Sequence, residues 1–218
     1  MRHPEHISKV LVGICTAVWL LCAVQPWDFE AWLLEQFATV MALGVLAWCV
    51  HNHIQFATHA KISIAVLFIA HTIGTHFTYS DTPYDAFFSS ALGFSINDLF
   101  GWTRNHYDRF VHLMYGVCLA LPTASLFTQR LGTSLFTSRF LALHIIISTS
   151  AIYELVEWLA ALIFGSELGM MYLGTQGDIW DAQMDIALAA IGQLGVYALV
   201  ELRRWTIKVN KHLRYRSS

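Results

Sequence analysis

Gly177-Asp178-Ile179-Trp180-Asp181-Ala182-Gln183-Met184-Asp185 sets three carboxylates at spacings of three and four directly before an apolar run that ends near Leu202. Residues three, four and seven apart share one helix face, so the spacing predicts an acidic stripe of Asp178, Asp181 and Asp185 leading into a hydrophobic helix. An ionised group inside a membrane-spanning helix is costly and marks a functional site whose partner must be found. The rest of the chain is read for that partner.

Composition fixes the class. Of 218 residues, 56% are hydrophobic and only 13% charged, and the apolar residues come in blocks of about twenty, the length that crosses a bilayer as a helix. The expected fold is therefore all-α: a polytopic membrane helical bundle and a single integral-membrane domain over residues 1–218. About six transmembrane helices are expected, over residues 10–25, 31–50, 61–79, 107–127, 140–164 and 180–202. The first is read as a retained anchor, since no small-x-small cleavage site follows it and Pro26-Trp27 suits a helix end at an interface. Between the third and fourth runs, residues 84–106 mix Phe87, Phe88, Leu92, Phe94, Leu99, Phe100 and Trp102 with Asp85, Asn97 and Asp98. That stretch is too polar to span and too apolar to float, so an interfacial helix or half-inserted loop is expected. Pro122 predicts a kink in the fourth span, and residues 165–177 read as a Gly-rich loop.

Several functions are excluded or reduced. There is no basic cluster interleaved with aromatics, so nucleic acid is not a partner; the lipid bilayer is. Cys15, Cys22, Cys49 and Cys118 lie inside apolar runs without CxxC spacing and read as small buried hydrophobes. The histidines of the 51–59 connector read as a solvated loop. No nucleophile elbow, phosphate loop or known metal signature is present.

Charge asymmetry orients the chain. With six spans, eleven of the thirteen Lys and Arg fall on the side that holds both termini, namely Arg2, Lys9, Lys61, Arg130, Arg139 and six in the tail after Glu201, whereas Arg104 and Arg109 fall opposite. The positive-inside rule then makes both termini cytoplasmic. On that topology His76, Asp108, His112, Glu157, Asp181 and Asp185 come within about 10 Å of the outer helix ends at 1.5 Å rise per residue, with His71 and Glu154 somewhat deeper. Four helices thus deliver acids and imidazoles to one layer.

Local explanations cover part of this layer. Asn105-x-x-Asp108 and Asp178-x-x-Asp181 both have the form of an N-cap followed by an acid in the first turn. Capping does not account for Asp185, nor for His112 four residues after Asp108. Glu154 and Glu157, at i,i+3 toward the C-terminal end of an apolar helix, need a proton, an arginine or a metal ion. A divalent cation would draw in Asp108, His112, Glu157, Asp181 and Asp185, and this oxygen-rich set with imidazole suits Mg, Mn, Fe or Zn. Glu154, Asp108 and His112 are the candidate acid–base groups, while Arg104, Arg109, His76 and Asp178 are candidate substrate contacts.

The ordered motifs carry a resemblance. His71-Thr-Ile-Gly74-Thr-His76 with Tyr79 and Pro83, then Arg104-Asn105-His106-Tyr107-Asp108-Arg109-x-x-His112, then Tyr153-Glu154-x-x-Glu157-Trp158, then Gly174-Thr-Gln-Gly177-Asp178-x-Trp180-Asp181-x-Gln183-x-Asp185 resemble the YjdF-type family of bacterial inner-membrane proteins. The resemblance covers most of the chain from the third span onward and implies a multi-pass fold in the bacterial inner membrane, with no particular reaction. More distantly, the order Asp-basic-x-x-His, Glu-x-x-polar, Asp-x-x-Asp is similar to VanZ-like membrane proteins, which are linked with resistance to glycopeptides acting on the envelope. This chain has Glu157 where Gln is usual there and Asp185 where Asn is usual, and both departures add negative charge. The expected function is a site at the outer leaflet, with a divalent metal acting on a lipid-linked or phosphate-bearing envelope substrate. The alternatives are a proton- or cation-coupled transporter and a non-catalytic scaffold with locked charges.

Overall fold

The computed structural model describes the backbone of residues 3–165 and 168–216, and side chains within those limits except at 3, 4, 209 and 211–216. Arg2 and the side chains of Lys211, Arg214 and Arg216, which entered the charge count, lie outside the described residues. The elements in chain order are α1 (His3–Cys22), α2 (Phe29–His51), α3 (Thr58–His76), α4 (Tyr84–Leu92), α5 (Ile96–Phe100), α6 (Tyr107–Leu131), α7 (Leu135–Phe164), α8 (Leu168–Leu173) and α9 (Asp181–Arg216). No strand occurs among the described residues.

Five of these helices, α1, α2, α6, α7 and α9, are long and apolar enough to cross a membrane. The sixth expected span, α3, has 19 residues, about 28 Å at 1.5 Å per residue, and so has the length. It lacks their apolarity because it carries His59, Lys61, His71, Thr72, Thr75 and His76, of which Thr72 and Thr75 are buried in the bundle. It also ends at His76 and not at Tyr79. Thr78 and Tyr79 take left-handed backbone angles, φ 53° and 54°, which folds the Tyr79 ring back onto Gly74. A Cβ at position 74 would lie 2.7 Å from that ring, so a larger residue there would have to displace the Tyr79 side chain.

α6 is the central helix, packed on α3, α7 and α9, while α1 lies outside α3 and α8 bridges α7 and α2. The α6–α9 pairing is the closest in the bundle for a simple steric reason. A Cβ at Gly116 would lie 1.9 Å from the Ala189 carbonyl oxygen, and one at Gly192 would lie 2.4 Å from that of Leu113. Two facing glycines let the backbones touch, the small-residue packing that membrane helices use in place of a hydrophobic driving force. Large apolar side chains such as Leu33, Val50, Leu155 and Leu162 point outward, as expected of a surface in hydrocarbon.

Smaller elements adjust the sequence reading. Residues 84–106 form two short helices whose Phe87, Leu92, Leu99 and Phe100 are exposed, in keeping with an interfacial position. The hairpin is tied by Asp85, which accepts from Ser95 Oγ and Asn97 N, and by Tyr84 Oη donating to Asn97 Oδ1 at 2.6 Å. The stretch read as a Gly-rich loop contains α8, which Gly169 allows to lie on α7: a Cβ there would meet Ala161 Cα at 2.5 Å. α6 continues unbroken through the buried Pro122. α9 runs on past Leu202, so the basic tail begins as helix. The four cysteines are free, and His51, His53 and His59 are exposed.

Candidate functional site

The site is built where the first turns of α6 and α9 meet the last turns of α7, beneath the two loops that enter α6 and α9. Gly116 and Gly192 press these helices together one to two turns further along, which places the acids of one helix against those of the other. Two levels result.

The upper level is a charge quartet. Arg104 Nη1 donates to Asp181 Oδ1 at 2.6 Å and to the Thr175 carbonyl at 3.0 Å, with Asp178 Oδ2 at 3.7 Å. Arg109 Nη2 donates to Asp178 Oδ2 and, at 3.3 Å, to Asp181 Oδ1. Asp181 is buried, and both arginine side chains are largely buried. Charge-assisted pairs of this kind are strong only when each lone pair is met, and here two guanidinium groups share two carboxylates. Asp178 is not on the α9 face as its spacing suggested: the helix starts at Asp181, and Asp178 sits in the preceding turn. There its carboxyl is held below the ordinary aspartate range, first by the Trp180 backbone N–H it accepts and then by Arg109.

The loops are locked to each other as well. Asn105 N donates to Gln176 Oε1 and Gln176 Nε2 returns a bond to the Asn105 carbonyl, at 2.9 and 3.0 Å. Asn105 is not the N-cap of α6; His106 holds that position, and Asn105 Oδ1 accepts the Tyr107 N–H. His106 stacks on Trp102, and its imidazole titrates below the ordinary range because it is partly buried and faces the arginines. Gly174, at φ +63°, lies over Asp108, with a hypothetical Cβ 3.8 Å from Asp108 Oδ2. Residues 174–178 therefore form a roof.

The lower level holds Asp108, His112, Glu154 and Asp185. One ligand atom from each of Asp108, His112 and Asp185 lies within 4.8 Å of the other two. His112 Nε2 stands 3.6 Å from Asp108 Oδ1 and 3.4 Å from Glu154 Oε1, while its Nδ1 meets Ser150 Oγ at 3.3 Å. Asp185 is 1% exposed, and its Oδ1 has no hydrogen-bond partner; Glu154 Oε1 also makes no hydrogen bond and has His112 Nε2 at ion-pair distance. A buried carboxylate oxygen left bare costs on the order of 1–3 kcal/mol or more, so something must satisfy Asp185 Oδ1.

The expected layer is thus divided. Asp108, His112, Glu154 and Asp185 come together; Asp181 turns away to the arginines. Glu157 is buried close to Glu154, in electrostatic reach of Asp108, Asp185 and Glu35. His76 is elsewhere: its Nδ1 meets the Cys22 carbonyl at 2.8 Å and its ring packs on Phe77. His71 is bonded inside the bundle, to Tyr79 Oη at 2.5 Å and Thr39 Oγ1 at 3.1 Å.

One arm of the site was not singled out from the sequence. Glu35, buried on α2, accepts from Tyr153 Oη at 2.7 Å, and the Tyr153 ring lies 6.4 Å from that of His112. A charged residue near the start of an apolar run was a signal, but nothing in the spacing named its partner.

The family described as predicted membrane protein (DUF2238) matches residues 7–206. The chain belongs to that family. It is also similar to a protein named inner membrane protein YjdF from Escherichia coli (strain K12), with 27% identity over 183 residues, covering 82% of this chain and 81% of that one. No solved structure matches it. The chain is a multi-pass helical membrane protein, and its polar site is held between the membrane helices of this family's fold.

Proposed function

We propose that Asp108, His112 and Asp185 bind a divalent cation at one end of the bundle, with Glu154 beside it as general base. The site would act on a lipid-linked or phosphate-bearing substrate of the cell envelope. The observation that carries this reading is the buried carboxylate oxygen Asp185 Oδ1, which has no hydrogen-bond partner and belongs to a residue gathered with Asp108 and His112 so that one ligand atom of each lies within 4.8 Å of the others. Two carboxylates and an imidazole satisfy a small hard or borderline cation such as Mg, Mn, Fe or Zn, which would polarise a phosphoryl or carbonyl oxygen. Ser150 at His112 Nδ1 fixes the ring so that Nε2 faces the carboxylates. Asp181 leaves the metal set proposed from spacing alone, since Arg104 and Arg109 already neutralise it. Glu157 becomes a neighbour that shapes the field at Glu154.

The surrounding membrane is taken to be the bacterial inner membrane, as for the YjdF protein, with both termini cytoplasmic. Lys61, Arg130, Arg139, Arg203 and Arg204 gather at the end of the bundle opposite the site, which supports that orientation. The site then opens toward the outer leaflet. A scaffold of locked salt bridges fits the upper quartet but leaves Asp185 Oδ1 unexplained.

Elemental analysis of the purified protein tests the reading. Close to one divalent metal per chain is expected in the parent and in Asp181→Asn, and none in Asp185→Asn. Equal metal in parent and Asp185→Asn, or none in a folded parent, overturns it.

A further inference from the structure

On the side of α7 that faces α9, the small residues Ala151 and Ala182 leave a depression of about 400 Å³, bounded by Leu155, Trp158, Leu173 and Ile186. Its wall is apolar except for Gln183 and for Glu154, the same carboxyl that stands 3.4 Å from His112. Leu155 and Trp158 are 60% and 54% exposed, so the depression opens sideways on the surface that meets hydrocarbon and not on an aqueous face. Its size falls in the range of about 300–1,000 Å³ typical of ligand sites.

The other approach to the lower level is covered. Arg104 holds the Thr175 carbonyl, Asn105 and Gln176 exchange two hydrogen bonds, Arg109 binds Asp178, and Gly174 lies over Asp108. Glu154, nine-tenths buried and with one oxygen that makes no hydrogen bond, lies at the one lateral depression beside the lower level that these observations describe.

We infer that the α7–α9 groove is a lateral entrance that seats one acyl chain of an anionic glycerophospholipid, with its phosphate end drawn toward Glu154, His112 and the proposed cation. This inference rests on the proposed site. The occupant follows from place and charge. A groove walled by apolar side chains and open to hydrocarbon excludes water-soluble ligands and admits the chains that surround it. The phosphate would be matched by the cation proposed at Asp108, His112 and Asp185. An acyl chain in the groove would also seal Glu154 from bulk lipid, in the way a closing element seals a reacting group.

Native mass spectrometry with 1-palmitoyl-2-oleoyl phosphatidylglycerol as the probe tests this, with metal content measured on the same samples. The parent is expected to hold one phosphatidylglycerol per chain against an excess of phosphatidylcholine. Ala151→Phe fills the groove from α7 and Ala182→Leu fills it from α9; each is expected to lower that occupancy at least tenfold while metal content stays unchanged. Ile152→Phe adds bulk to the same helix at a position outside the groove and should hold the lipid like the parent. Equal occupancy in all four proteins means annular lipid only and overturns the inference, as does displacement of phosphatidylglycerol by an equimolar polyprenyl phosphate. Absence of metal from every sample with the lipid pattern intact refutes the metal reading and overturns the placing of the phosphate beside Glu154, while it upholds the acyl-chain seat in the groove.

Discussion

Replacing Gly116 by alanine should separate α6 from α9 and disable the site from a distance. The added Cβ would sit 1.9 Å from the Ala189 carbonyl oxygen and 2.9 Å from Gln193 N, where real Cβ contacts essentially never fall below 3.0 Å. Both obstacles are backbone, so no side chain can swing away and the helices must part by about 1 Å. Overpacking of this kind costs about 1–3 kcal/mol, which in a chain this long corresponds to a melting temperature lower by several degrees. The consequence for the site is larger. Metal–ligand distances tolerate only about 0.2 Å, and Asp108 and His112 ride on α6 while Asp185 rides on α9, so the binding of Mn²⁺ should weaken at least tenfold. Gly195→Ala is the control, because nothing lies within 4 Å of its Cβ position on the same α9 helix, and a helical glycine replaced by alanine is neutral or mildly stabilising. Thermal unfolding and calorimetric Mn²⁺ titration of the two variants in detergent decide the matter. Unchanged melting and unchanged affinity in Gly116→Ala would refute the claim that glycine contact between α6 and α9 sets the site.

Three further outcomes are expected. Arg104→Gln removes the 2.6 Å partner of buried Asp181 but leaves Arg109 at 3.3 Å, so the loss should be about 1–3 kcal/mol, less than the roughly 3–5 kcal/mol of a fully broken buried pair. A double-mutant cycle with Asp181→Asn, read by thermal unfolding, should show coupling of at least about 1 kcal/mol. Tyr153→Phe strips buried Glu35 of its 2.7 Å donor and should destabilise by about 1–3 kcal/mol, with Glu35→Leu in that background restoring the melting temperature. Acidification should loosen the roof in two steps. His106 and Asp178 both have lowered pKa values, so the unfolded chain binds their protons first and stability rises with pH. The His106 contribution, complete above about pH 6.5, is lost as pH falls through its lowered value; that of Asp178, complete above about pH 4, is lost at lower pH still. A melting-versus-pH series on His106→Gln and Asp178→Asn should lose the upper and the lower step respectively.

Much of this architecture is legible in the residues because the bilayer leaves few options for the backbone. Apolar blocks of about twenty residues gave the helices, and rise per residue put Asp108, His112 and Asp185 in one layer, with Glu154 somewhat deeper; the same layer also counted His76 and Asp181, which meet other partners. What spacing along one helix does not give is which partner each level of a shared face will meet. Asp181 and Asp185 are four apart and share a face, yet one meets Arg104 and the other faces His112, since 6 Å of axial separation puts them at different levels of the site. The turn at Thr78–Tyr79 has no sequence signal because two non-glycine residues adopt positive φ there, and the helical tail of α9 has none because the apolar run that marks the span ends near Leu202. Glu35 was visible as a charge in an apolar run, but Tyr153 lies 118 residues away, and no local pattern pairs them. Gly116 and Gly192 stood out in neither hydropathy nor charge; only the packed helices show why nothing larger fits.

Electron spin-echo spectroscopy of the Mn²⁺-loaded protein tests the central claim most directly, because it counts the imidazole nitrogens on the ion. The account predicts modulation from one histidine nitrogen in the parent and in His76→Gln, and its disappearance in His112→Gln. A parent spectrum without nitrogen modulation, or modulation that survives His112→Gln, would contradict the assignment of the cation to Asp108, His112 and Asp185.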